Sequence, residues 1–81
     1  MTREAVFEKL NTIFRSNFDD DGINLTDGTS AEDIEDWDSL EQINLVVAIQ
    51  DAFGIKFNID EVNALQNVGE MADAILKKTG E

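Results

Sequence analysis

One segment constrains this chain more than any other. Ser39 to Phe53 contains neither glycine nor proline, and Gly54 stands directly after it. That is the pattern of a helix closed by a C′ glycine, with Ile55 placed to make the accompanying apolar contact. Projected at 3.6 residues per turn, Leu45, Val46, Ile49, Ala52 and Phe53 fall on one side. Leu40, Ile43 and Val47 form a second apolar stripe on roughly the opposite side. Such a helix is either the centre of a bundle, buried on both sides, or a core helix whose second stripe is a shallow docking patch. In the second case Glu41, Asn44 and Asp51 form a polar rim around the patch. A chain of 81 residues buries only ~60–65% of the surface its unfolded state exposes, so a small core covers one stripe fully and has little left for the other.

The remaining segments supply partners for that helix. Arg3 to Asn17 is predicted helical from Val6, Leu10, Ile13 and Phe14, with Thr2 as N-cap and Glu4 at the positive end of the dipole. Phe18 to Asp38 breaks the pattern: Asp19-Asp20-Asp21-Gly22 and Asp27-Gly28 are turn signals. A loop this long is unusual in a compact domain unless it has a function, and Ile23, Leu25, Ile34 and Trp37 give it side chains with which to pack. Thr29 to Asp33 offers one short helical turn. Lys56 to Ile59 is a connector, and Asp60 to Leu65 reads as a short helix. Asn67-Val68-Gly69-Glu70 is a cap opening a last helix through Lys78, with Val68, Met71, Ala72, Ile75 and Leu76 apolar and Gly80 terminating it. Strand alternation is absent apart from Ile55-Phe57-Ile59, too short to build a sheet. The expected fold is all-α: a small four-helix bundle of three longer helices plus one short, spanning residues 1–81 as one domain, with a long loop between the first two long helices. The start at Met1 and the end just past Gly80 suggest a free-standing protein.

Composition then removes whole classes of function. Eighteen acidic residues against six basic give a net charge of −12, and there is no His and no Cys. Without histidine there is no His-based triad, His metal site or neutral-pH proton shuttle. Without cysteine there is no disulfide framework and no thiolate zinc site. An anionic surface is repelled by nucleic-acid phosphates and by anionic lipid headgroups. The longest apolar run, Leu45 to Ile49, is far short of a membrane span, and the N-terminus lacks a signal-peptide core. The expectation is a cytoplasmic monomer whose partners present basic patches.

Ser39 is the residue on which chemistry could rest. Ser39-Leu40-Glu41-Gln42 matches a capping box, so the serine could be simply the N-cap. Alternatively, an exposed hydroxyl at a helix N-terminus is a good place to attach a phosphate, because unpaired N–H groups and the dipole favour an anion there. A hydrolytic serine is disfavoured, since no residue is available as its base.

Asp38-Ser39-Leu40, the helix Glu41 to Phe53, the Phe53-Gly54-Ile55 exit, the short helix from Asp60 and the last helix from Val68 to Lys77 together resemble the acyl carrier proteins. The resemblance covers essentially the whole chain. It implies that Ser39 receives a 4′-phosphopantetheine arm from coenzyme A through a phosphopantetheinyl transferase, and that the arm's thiol holds an acyl group as a thioester. It makes Asp38 a supporting residue that helps to position metal and coenzyme A. It makes Leu40, Ile43 and Val47, with Glu41, Asn44 and Asp51, the surface met by acyl-loading and acyl-processing enzymes. The chain departs from the family pattern in the bulky pair Asp36-Trp37 before Asp38, and in Asn44 and Gln50 at positions commonly acidic. Its acidic weight lies upstream, in Asp27, Glu32, Asp33, Glu35, Asp36 and Asp38. These departures make a dedicated carrier of a specialised pathway as reasonable an expectation as service to fatty acid or polyketide synthesis.

Other readings compete. An aminoacyl, D-alanyl or peptidyl carrier would share the arm and the serine. An acidic interaction module without a prosthetic group would leave the Ser39 context as coincidence. An EF-hand with Gly22 as the turn glycine would run from Asn17 to Gly28, but Gly28 then stands where a bidentate Glu is required and Asn24 where an apolar residue belongs.

Overall fold

In the computed structural model, which describes residues 2–80, Met1 and Glu81 lie outside the described residues, and with them the first and last residues of the expected free-standing chain. The described residues form four helices and no strand: α1 (Arg3–Phe18), α2 (Ser39–Phe53), α3 (Ile59–Ala64) and α4 (Val68–Lys78). Each start is fixed by a side-chain cap. Thr2, Asp38, Asn58 and Asn67 accept from the backbone N–H of Ala5, Glu41, Glu61 and Glu70, which satisfies a donor the helix itself cannot. In α3 the cap is reciprocal, because the Glu61 carboxylate accepts from the Asn58 N–H at 3.0 Å. Gly54 ends α2 at φ 66°, a conformation that glycine adopts without a Cβ penalty.

The core lies where α1, α2 and α4 meet. Val6, Leu10 and Phe14 of α1, Leu45 and Ile49 of α2, and Val68, Met71, Ala72 and Ile75 of α4 are fully or almost fully buried. The first side of α2 is thus core as expected, with two exceptions: Ala52 is exposed and Phe53 only half-buried. α1 also runs one residue further than its periodicity implies and ends on Asp19 in the left-handed region (φ 51°).

The long α1–α2 loop is part of the body of the protein. Ile23 and Leu25 join the core cluster, with Ile34 and Trp37 packed against it. The side chain of Asn11 accepts from the Leu25 N–H at 2.8 Å, and Arg15 Nε donates to the Ile23 carbonyl at 2.8 Å. Further along, Val68 and Gly69 of α4 donate their N–H groups to the carbonyls of Thr29 and Asp27. Residues 31–36 form successive turns rather than a helix. Gly69 is required at that approach: a Cβ there would lie 2.8 Å from the Asp27 carbonyl oxygen. Arg3 closes the same corner by pairing with Asp27 and Asp73 and donating to the Gly69 carbonyl; hydrogen bonds to Asp27 and then Asp73 raise its pKa above the usual guanidinium value.

Candidate functional site

The start of α2 is set by Asp38 and not by Ser39. Two cap positions are possible, the box read from Ser39 to Gln42 and a one-sided cap by Asp38 one residue earlier. The earlier register is realised. Asp38 is extended (φ −110°, ψ −171°), and its Oδ1 accepts from the Glu41 N–H at 2.9 Å. Gln42, which the later register would need, is used elsewhere: its Oε1 accepts from the Trp37 indole N–H at 2.6 Å. Ser39 is therefore the first helical residue, exposed, with its hydroxyl free of the capping duty. The first backbone bond of α2 runs from the Gln42 N–H to the Asp38 carbonyl at 2.9 Å. The N–H groups of Ser39 and Leu40 precede it and, with the helix dipole, give this end a positive character suited to a phosphate ester.

The second stripe of α2 is exposed. Leu40, Ile43 and Val47 keep 67%, 60% and 51% of their surface in solvent, against a fully buried Leu45 and Ile49 on the other side. Of the rim residues, Glu41 is held between two amides: Asn17 Nδ2 donates to it at 3.3 Å and Asn44 Nδ2 at 2.9 Å. Asp51 is exposed one turn beyond Val47. The acidic weight of the loop is partly spent inside the molecule, since Asp27 pairs with Arg3 and Asp33 Oδ2 accepts from the Ser30 N–H; Asp36 and Asp38 remain exposed beside Ser39.

A groove of about 660 Å³ opens between α2, α3 and the end of the loop, a volume typical of sites for small ligands. Ser39, Ile43 and Val47 line it on the α2 side with Val46, and Ile59 and Val62 line it on the α3 side. Leu40, Glu41, Asn44 and Asp51 lie outside it. The groove brings in two residues that sequence reasoning passed over as a connector, Phe57 and Ile59. Ile59 is 76% exposed. The pairing of Asn58 with Glu61 was the available signal, because a capping box there makes Ile59 the first residue of α3 rather than the last of a linker.

The site suits phosphopantetheine, with a reachable hydroxyl, an electropositive helix end and an adjoining apolar groove in a chain that has no thiol of its own. Comparison with known proteins agrees. The family described as "Phosphopantetheine attachment site" matches residues 8–75. An acyl carrier protein of Guillardia theta is 33% identical over 79 residues, covering 96% of each chain. That of Lactobacillus acidophilus is 26% identical over 80 residues, covering 99% of this chain and all of the relative. Among solved structures, the solution structure of a holo acyl carrier protein from Geobacter metallireducens superposes with a TM-score of 0.85 at 48% identity, covering 90% of this chain and 84% of that one. The chain accordingly belongs to the acyl carrier proteins, carriers with a phosphopantetheine prosthetic group rather than enzymes.

Proposed function

We propose that Ser39 is the residue that bears the prosthetic group and that the cargo is an acyl chain of fatty acid, polyketide or a related specialised synthesis. The observation that carries this reading is the placement of Ser39, exposed at the first position of α2 and at the edge of an apolar groove. Its Oγ would attack the pantetheine-side phosphorus of coenzyme A, the pyrophosphate bond breaking to release adenosine 3′,5′-bisphosphate and the hydroxyl proton passing to the transferase or solvent; the resulting phosphodiester is stabilised by the free N–H groups of the first turn. Asp38 holds that turn in shape through its bond to Glu41 and leaves a carboxylate next to the reacting hydroxyl, where a divalent cation bound with coenzyme A can be met. The bound group supplies the thiol on which the acyl chain is held as a thioester. Leu40, Ile43 and Val47, extended across the groove by Ile59, form the apolar face read by the phosphopantetheinyl transferase and the acyl-processing enzymes. Glu41, Asn44 and Asp51 rim it, and the net charge of −12 favours partners with basic surfaces. The apolar lining of the groove favours an acyl cargo over an aminoacyl one, whose ammonium group would be desolvated there. No helix of the described residues is long and apolar enough to cross a membrane; the proposed state is a single-domain monomer and the proposed location the cytoplasm.

The test is direct. Incubation with coenzyme A and a promiscuous phosphopantetheinyl transferase should add the mass of one phosphopantetheine to the intact protein, and Ser39→Ala should abolish the gain. A gain that survives Ser39→Ala would place the attachment elsewhere.

A further inference from the structure

Trp37 is unaccounted for by attachment or by docking. It is the only tryptophan of the chain, it is half-buried, and it lines the groove immediately before Asp38 and Ser39. Its ring is fixed at two points. One edge meets the buried Phe14 at 5.2 Å between centroids and 81° between planes, an edge-to-face pair. Its indole N–H donates to Gln42 Oε1 at 2.6 Å, so the single polar atom of the side chain is satisfied within the protein. What remains for the groove is rigid apolar surface with no donor to offer. Behind it stands Phe14, which is fully buried. The groove is also lined by α3, a helix of six residues with none of them buried, so Trp37 is the lining residue anchored to the core.

We propose that Trp37, held by Gln42 and Phe14, is a specificity-determining wall that stops the groove short of the core and thereby limits the length of acyl chain it shelters. This rests on the reading of Ser39 as the attachment site. Ser39 and the indole line the same groove, with Ile43, Val46 and Val47 on its α2 side, so a chain that enters the groove and extends toward the loop meets the indole, behind which Phe14 is already fully buried. Among the described residues the exposed large apolar side chains are Leu40, Ile43, Val47 and Ile59, and the half-buried indole is not one of them.

The experiment loads the full chain with acyl-phosphopantetheine groups of graded length from the corresponding acyl-coenzyme A compounds, and intact mass verifies each product. Cleavage of each thioester by hydroxylamine is then timed in wild type, Trp37→Phe and Trp37→Ala. Wild type should slow cleavage several-fold up to a limiting length and lose that protection beyond it. Trp37→Ala should move the limit to longer chains, with Trp37→Phe between. A limit unchanged in both variants, or protection lowered equally at every length, overturns the proposal. Wild-type fluorescence gives a readout that needs no variant: emission should shift to shorter wavelength as the chain reaches the indole and stay constant between the unacylated arm and the shortest chain. Emission identical at all lengths overturns it. Failure to gain mass at all would overturn the attachment reading itself, so the two failures are told apart at the first step.

Discussion

At the scale of single residues, Val47 and Ile49 differ by two positions in sequence and belong to opposite worlds. Val47 is half in solvent and Ile49 has none of its surface exposed. An aspartate at Val47 is expected to leave the melting temperature within a few degrees of wild type while weakening processing by partner enzymes. An aspartate at Ile49 buries an unpaired charge, at several kcal/mol. That is comparable to the ~5–15 kcal/mol that holds a domain together, so the variant should be unfolded by circular dichroism. Equal melting temperatures would show the two faces to be misassigned. Periodicity separates the two stripes, because a 3.6-residue repeat sorts side chains by direction without knowledge of their neighbours, but which stripe stays in solvent rests on the small size of the core and on the family resemblance. Gly69 was not legible in the same way. Its lack of a Cβ matters because Asp27 passes 2.8 Å from where that atom would be, and nothing local to α4 records the approach of a distant loop. Trp37 likewise announced itself as bulky, but its use depended on Phe14 and Gln42.

At the scale of elements, the start of α2 joins stability to function and also allows them to be separated. The cap is Asp38 and the modified hydroxyl is proposed to be Ser39, so each can be removed by itself. Asp38→Ala takes away the acceptor of the Glu41 N–H and is expected to cost about 0.5–2 kcal/mol, read as a lower urea midpoint. Ser39→Ala removes no cap and introduces a better helix former. It is expected to leave the urea midpoint unchanged or slightly raised while abolishing gain of the prosthetic group. A Ser39→Ala variant as unstable as Asp38→Ala would mean that the serine holds the helix after all. The capping-box pattern places the cap at Ser39 with Gln42, although Asp38 one residue earlier is an equally good N-cap residue. The choice is made at longer range, where Gln42 is taken by the Trp37 indole. The loop was legible as ordered from its apolar residues, yet its anchoring by Asn11, Arg15 and the first N–H groups of α4 was invisible, since a hydrogen-bond partner leaves no periodic trace. The connector before α3 fails for a related reason: a helix of six residues is too short to display a period.

At the scale of the whole molecule, charge sets the conditions of stability, and two effects oppose each other in acid. Eighteen acidic groups against six basic ones repel one another across a small surface, so added salt or a divalent cation should raise the melting temperature by screening. A melting temperature flat in salt would count against self-repulsion. Mild acid relieves the same repulsion by neutralising carboxylates, but it also attacks an ion pair that joins α3 to α4. Lys78 Nζ lies 2.8 Å from Glu61 Oε2, and the same lysine sits 5.3 Å from the centre of the Phe57 ring. Glu61 is held below its ordinary value of 4.5, first by the hydrogen bond from Lys78 and then by the backbone N–H of Asn58. A carboxyl whose folded pKa lies below its unfolded one binds its proton more readily when unfolded. Its contribution is therefore complete above the ordinary value and disappears as pH falls through the folded one. The pair is surface-exposed, and its effect is correspondingly modest. Glu61→Gln should thus melt somewhat below wild type at neutral pH, and the gap should close as the pH drops below 4.5. Because α3 forms one wall of the groove, the same variant loaded with an acyl chain should lose thioester protection at neutral pH by more than its small loss of stability accounts for. A gap between the two proteins that stays constant from neutral pH into acid would show that the carboxylate charge of Glu61 plays no part in holding α3.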